Sequence, residues 1–492
     1  MTLGVENHLT SRPVTTLVWL QRELRLESLP ALQAALQQAD RVIVAYFHDP
    51  DQVIGEANQA WLADSLCILQ TALRAQGGEL WMVEGGFRDC LREVVTTYDV
   101  KKVFYSHQPG VPFANMQQQA LEVCQSLEVE LRPFFSEYWM SPDGLMNKQG
   151  KPYAVFTPFY RTLMAKSVEM EPFENAIGDL DKAALVPHNP AWLELPPTLK
   201  ALSEQAWSKK VMRHWRVGAE SAWEQLERFV AEDLAHYQEE RDFPAREATS
   251  KLSPYLHFGE LSSRAVWFWF QSQIEAGAIG ANQAAPWLRQ LAWREFARYL
   301  LWHFPYTQRE PFQAKFSAMD WAQNEDTLAA WRHGRTGIPI VDAGMRELWE
   351  TGSMHNRVRM LVASLLTKNL NQSWQTGQAW FADTLVDADP ANNAMGWQWV
   401  AGCGVDASPY YRLFNPLVQS RKFDVQGDYL RRWLPELSAL PAKAIHAPWE
   451  CAEICRQYGV ELGRDYPHPL IDLAVSREQH MQRLEVLKTM SF

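Results

Sequence analysis

Five short apolar runs open the chain: TTLVWL (15–20), RVIVAYF (41–47), LWMVEG (80–85), KKVFYS (101–106) and VELRPFF (129–135). The segments between them, LPALQAALQQ, NQAWLADSLCILQTALRAQG, FRDCLREVVTTY and FANMQQQALEVCQSLE, have helical periodicity. Strand–helix alternation at this spacing leaves few folds open. The strands pair in parallel and the helices cover both faces of the sheet. A Rossmann-like α/β domain is therefore expected over residues 1–135. No G-x-G-x-x-G follows any of these strands, so a dinucleotide site of the usual kind, and with it a nicotinamide-dependent oxidoreductase, is disfavoured.

The pattern then changes twice. Residues 170–200 carry Pro172, Pro187, Pro190, Pro196 and Pro197 with little apolar periodicity, which reads as a long surface connection. From about residue 218 onward nearly every segment has helical periodicity, as in GAESAWEQLERFVAEDLAHYQ and APWLRQLAWREFARYLLWHF. The expected organisation is an α/β domain (1–135), an interdomain linker (136–217) and an all-helical domain (218–492).

Composition narrows the class. A hydrophobic fraction of 47% supports large cores and excludes wholesale disorder. No run approaches the roughly 18 apolar residues of a membrane span, and MTLGVENHLTSRP lacks the basic start and apolar stretch of a secretory signal. A cytoplasmic protein with no membrane association is expected. Six cysteines do not make a disulfide framework in a chain this long, and Cys451 and Cys455, one helical turn apart, gather no further ligands, so no metal is expected. The 22 tryptophans are unusual. Indole stacks on flat rings and gives up an electron readily, and it also fills cores.

Several segments of the helical half carry candidate chemistry. Thr249-Ser250-Lys251-Leu252-Ser253-Pro254 has the residues of a helix start, which either cap a helix or gather free N–H groups and hydroxyls around an anion. Trp287, Gln290, Leu291 and Arg294 share one helical face, with Trp293 beside them. That face reads as aromatic packing with a salt-bridged arginine, or as the wall of a polar site. Asn356, Arg359 and Met360 share another face. DADPANNAMGWQW (387–399) crowds Asp387, Asp389, Asn392, Asn393, Trp397 and Trp399 into one stretch, which reads as a polar loop. Buried polar groups need partners, which either a capped turn or a polar ligand supplies.

Taken in order, TSKLSPYLHFGELS, WREF, GRTGIPIVDAGMREL, MHNRVRM, DADPANNAMGWQW and PYYRLFNP resemble the flavin-binding half of the photolyase and cryptochrome family, and the chain looks closest to its class I cyclobutane pyrimidine dimer photolyases. WLQRELRLESLPAL resembles the family's first strand and turn less closely. The resemblance implies an N-terminal antenna domain, a helical domain that holds FAD, and light-driven repair of cyclobutane pyrimidine dimers. Repair would proceed by electron transfer from photoexcited reduced FAD to a flipped-out dimer in ultraviolet-damaged DNA. It further implies that Tyr237, Thr249, Ser250, Lys251, Leu252 and Ser253 hold the phosphates and ribityl chain. Trp287, Gln290, Arg294 and Asn356 would line the same cavity. Arg359 and Asp387 would pair beside the flavin ring, Asp389 would meet a polar edge, and Asn393 would face the flavin N5. Trp293 and Trp399 match two flat walls around the dimer, and Gln290, Asn356 and Met360 match its contacts. Trp321, Trp374 and Trp397 match the family's electron-transfer triad.

Two departures bear on function. Gln290 stands where repair enzymes of the family carry Glu, whose carboxyl steadies the base radical. The segment PGVPFANMQ (109–117) matches neither the folate-type nor the deazaflavin-type antenna stretch, so the antenna chromophore is folate type, deazaflavin type or none. The net charge of −11 opposes DNA binding unless basic groups are gathered locally. Arg241, Lys251, Arg357, Arg412, Arg421 and Lys422 lie in segments that the resemblance places around a rim. A monomer that repairs DNA is expected, with a blue-light receptor of weak or no repair activity as the alternative.

Overall fold

The computed structural model describes residues 13–52, 54–174, 178–409 and 411–489. Five strands, β1 (Thr15–Leu20), β2 (Arg41–His48), β3 (Leu80–Glu84), β4 (Val100–Ser106) and β5 (Glu130–Phe134), form one sheet. All neighbours are parallel, in the order β3-β2-β1-β4-β5. β1 is central, pairing Leu17 with Ile43 of β2 and with Val103 of β4, and every residue of it is buried. This burial on both faces is why TTLVWL is a continuous apolar run instead of an alternating one. Chain order reverses direction at β1/β4, and the loop Gln21–Arg25 leaves the sheet there.

That loop enters the helical half. Leu24 N–H donates to the Phe258 carbonyl at 3.1 Å. Gly259 has φ +62°, and a Cβ on it would stand 1.9 Å from the Arg22 carbonyl oxygen. Only glycine accepts both that backbone and that approach. Trp61, on the Glu56–Arg74 helix, packs against Trp215, Tyr255 and Phe258. One hydrophobic core consequently runs from Val18 in the sheet to Trp287 in the helical half.

The stretch between the two halves is anchored. The Phe156–Ser167 helix stacks Phe156 on Trp293 with ring centroids 3.5 Å apart. In the proline-rich part, the turns Leu180–Ala183 and Pro190–Leu193 lie along the β3 edge, where Glu79 N–H donates to the Ala183 carbonyl and Trp81 Nε1 to that of Leu185. Beyond residue 218 the regular structure is helical, and a second core gathers Trp331, Trp374 and Trp397. No helix among the described residues is long and apolar enough to cross a membrane.

Candidate active site

A cavity of about 1020 Å³ opens within the helical half. This is at the upper end of the roughly 300–1,000 Å³ typical of small-molecule and cofactor sites. The 23-residue Ala281–His303 helix delivers Trp287, Gln290, Leu291, Trp293 and Arg294 to it. Arg294 is buried and fixed by donation to the Leu256 carbonyl at 2.8 Å. The Asn356–Ser364 helix delivers Asn356, Arg359 and Met360.

Thr249, Ser250, Lys251, Leu252 and Ser253 all line the cavity, but not as helix caps. The helix that follows is short, Ser253–His257, and its N-terminus has no side-chain cap. Lys251 adopts the left-handed region at φ 53°, which turns the chain, and Ser253 Oγ is spent on Asp387 Oδ2 at 2.6 Å. Arg359 Nη2 donates to both Asp387 oxygens at 3.1 and 3.0 Å. Burial alone would raise the Asp387 carboxyl; the Arg359 charge and the two sets of hydrogen bonds more than reverse that and hold it below its ordinary value.

DADPANNAMGWQW is a helix over Pro390–Ala401 in place of the expected loop. Asp389 is its N-cap, accepting the Asn392 N–H at 2.8 Å, with proline at the next position. Burial would raise Asp389 too, yet His257 and Arg298 keep it well below the carboxylate range. Asn393 and Trp397, one turn apart, both line the cavity. The Asn393 amide donates to the Gln378 carbonyl at 3.0 Å. Trp397 is 2% exposed, meets Phe381 edge-on at 5.0 Å, and its buried Nε1–H has no partner.

Tyr237, Arg241, Asp387 and Asp389 complete the set of predicted residues that the cavity gathers. Trp321, Trp374, Trp399, Arg357 and Arg412 lie outside its lining. Trp374 is 2% exposed and Trp321 is half-buried, in the same core as Trp397. Ala322 N–H donates to the Asn371 carbonyl, which sets the residue after Trp321 beside the turn that leads into Trp374. Trp399 stacks on Phe414 at 6.3 Å. Arg357 is paired with Asp242 at 2.7 Å. Arg412 is exposed, and its carbonyl accepts from Lys368 Nζ at 2.6 Å. Of the six basic residues gathered for a rim, Lys251, Arg357 and Arg421 each hold a carboxylate. Arg241 instead donates to the neutral Gln290 Oε1 at 3.2 Å and lies over the Tyr237 ring.

Among the lining residues that were missed are two histidines. His355 precedes Asn356 in MHNRVRM; its Nδ1 accepts the Arg357 N–H, its buried Nε2 has no partner, and burial lowers it to about 4, so it is neutral. His257 lies in TSKLSPYLHF, and burial holds it at about 4 as well. Both lie inside quoted motifs, His355 next to Asn356 and His257 one helical turn after Ser253, which was the available signal. In the other half, the crevice at the strand ends, lined by Trp19, Tyr46, His48, Phe113 and Met116, encloses only about 10 Å³.

Residues 16–176 match the family model for DNA photolyase, and residues 287–486 match that for the FAD binding domain of DNA photolyase. A deoxyribodipyrimidine photo-lyase of Agrobacterium fabrum is 39% identical over 96% of this chain and 98% of its own length. Cryptochrome-1 of Arabidopsis thaliana is 33% identical over 93% of this chain and 68% of its own. A bacterial class III photolyase from Agrobacterium tumefaciens superposes with a TM-score of 0.89 at 37% identity, covering 99% of this chain and all of that one. The chain belongs to the photolyase and cryptochrome family.

Proposed function

We propose that this protein uses light to split cyclobutane pyrimidine dimers in DNA, with FAD in the cavity. The observation that carries the reading is a single cavity lined both by Arg359–Asp387 and Asn393 and by Trp293, Asn356 and Met360. The first group suits a flavin: a guanidinium locked by a carboxylate, and an amide fixed by its neighbour. Of the four buried nitrogens among the lining residues without a hydrogen bond, that of His257 faces Asp389 Oδ2 at 3.9 Å, and those of Trp397, Trp433 and His355 await polar atoms of a ligand. Lys251 and Arg294 supply positive charge for the cofactor's phosphates, and Arg241 for those of the DNA. The second group suits the lesion. Asn356 is exposed, and Trp293 offers a flat wall backed by Phe156.

When bound, FAD supplies the light-excited electron donor, which no side chain can be. The chain's own residues bind, orient and exclude water around it. Damaged pairs stack weakly, so turning the dimer out of the duplex costs less than turning out an intact pair, which contributes selectivity. Trp321, Trp374 and Trp397 would relay an electron from a reductant in solution, met at the half-exposed Trp321, inward to the cavity. A blue-light receptor is the second reading, favoured by Gln290 in the position of the family's Glu and by relatives named cryptochrome.

Illumination of the FAD-loaded protein with a dimer-bearing oligonucleotide, against a dark control, decides between them. Loss of the lesion only in the light is expected. A lesion that persists while the flavin is photoreduced supports the receptor, and a protein that takes up no flavin removes both readings.

A further inference from the structure

A buried chain of hydrogen bonds runs from the end of β1 to the helix that carries Asn393 and Trp397. The Arg22 N–H donates to Glu23 Oε2 at 2.9 Å and the Gln21 N–H to Oε1 at 3.2 Å. Gln108 Nε2 donates to the same Oε2 at 3.3 Å, and Gln108 Oε1 accepts from Arg298 Nη2 at 2.9 Å. Arg298 Nη1 donates to Asp389 Oδ2 at 3.1 Å. The other oxygen of Asp389 accepts both the backbone N–H and the side-chain amide of Asn392, each at 2.8 Å. Glu23, Gln108 and Arg298 are 1–2% exposed. Glu23 and Gln108 belong to the α/β half, and Arg298 and Asp389 to the helical half.

Arg298 does not line the cavity, whereas Asp389, Asn392, Asn393 and Trp397 do. It reaches the site from behind, through the cap of one helix. A cap holds the first turn, and the first turn is where Asn392 and Asn393 sit. The Asp389 carboxylate is buried, so its guanidinium partner cannot be replaced by bulk water.

We propose that Arg298 is a positioning residue for the cavity, holding the Asp389-capped turn in place, and that Gln108 makes that position depend on the docked α/β domain. The inference rests on the reading that the cavity is the FAD site. Simple adhesion between the halves would use the same bonds but would act on the whole molecule evenly. Positioning acts on one turn.

Hydrogen exchange separates the two. Amide exchange is measured in the full-length protein before FAD is added, for wild type, Arg298→Met, Arg298→Lys and Gln108→Met. Arg298→Met is expected to speed exchange at Asn392 and Asn393 by about tenfold, the size expected for a lost charge-assisted bond, with little change over Trp374–Thr384. Arg298→Lys returns most of the protection. Gln108→Met shifts the same two amides in the same direction by less. After FAD loading, Arg298→Met is expected to blur the fine structure of the blue absorption band, and Arg298→Lys to restore it. Unchanged exchange at 392–393 in both Arg298→Met and Gln108→Met overturns the proposal, and so does an equal rise across the helical half. Should Arg298→Met not fold, Gln108→Met alone decides on the same criterion. Failure to bind FAD refutes the cofactor reading separately, because the exchange measurement is made without it.

Discussion

Gln290 is held at both ends: its carbonyl oxygen accepts from Arg241 at 3.2 Å, and its amide nitrogen donates to the Pro286 carbonyl at the same distance. Its neutrality has two consequences. Gln has no acid proton to offer a substrate radical, so repair is expected at a lower yield per photon than with Glu. It also leaves the Arg241 guanidinium without a carboxylate, free to meet a phosphate. The variant Gln290→Glu should therefore move two observables in opposite senses. At low pH, where the new carboxyl is protonated, repair per absorbed photon rises. At neutral pH, where it is ionised and pairs with Arg241, affinity for dimer-bearing DNA becomes less salt-dependent, the slope of log K against log salt shrinking by about 0.9. An unchanged or lower repair yield contradicts the first consequence; an unchanged slope contradicts the second.

The helices Trp374–Thr384 and Pro390–Ala401 show how packing fixes the site. Gly377 lies beneath the Trp397 ring, and a Cβ there would stand 2.1 Å from Cη2. Gly377→Ala gains about 1 kcal/mol of helix propensity and meets an overpacking cost of about 1–3 kcal/mol in a closed core. The clash wins, so a lower urea midpoint is expected, together with slower flavin photoreduction as the Trp397 ring shifts. A raised midpoint with unchanged photoreduction would show that the two helices simply spread. This scale also marks what could be read in advance. All five strands fall within a residue or two of the expected runs; burial on both faces writes β1 and β2 as continuous apolar sequence, whereas the edge strand β5 has no buried residue. The faces 287/290/294 and 356/359/360 were legible because helical spacing is local. DADPANNAMGWQW was not legible as a helix, since its polar residues face a cavity that periodicity reads as solvent. Thr249–Ser253 misled in the opposite sense, since cap-type hydroxyls were used across the fold, on Asp387.

Across the whole molecule, what stayed illegible is what joins the two halves. QRELR holds three charged residues, yet Arg22, Glu23 and Arg25 are 1–4% exposed, because the helical half covers them. Arg25 pairs with Glu137 at 2.6 Å and also donates to the Gly259 carbonyl. Strand order was equally hidden, since it depends on pairing between distant segments. Glu260 belongs to the same junction. Its Oε1 accepts from Ser65 Oγ at 2.6 Å and from the Gly218 N–H at 3.1 Å, and its Oε2 from Trp61 Nε1 at 3.2 Å. No cation among the described residues lies within ion-pair distance of it. Burial, only partly offset by these donors, pushes its carboxyl up to about 8. The direction of the pH effect follows. Above pH 4.5 the unfolded chain gives up this proton while the folded protein keeps it until about 8, so the folded state binds more protons across that window. Stability from this group is complete at low pH and declines as pH rises, by up to about 1.4 kcal/mol per pH unit. Glu260→Gln is neutral in both states and escapes the decline, although its amide hydrogens face donors and cost about 1–3 kcal/mol at every pH. Comparing the variant with wild type cancels every other titrating group that the change leaves undisturbed. The variant is expected to unfold at a lower temperature than wild type at pH 5, to close that gap as pH rises, and to match or exceed wild type by pH 8. A gap that stays constant from pH 5 to pH 8 would mean that the Glu260 carboxylate is already charged at its three donors at low pH.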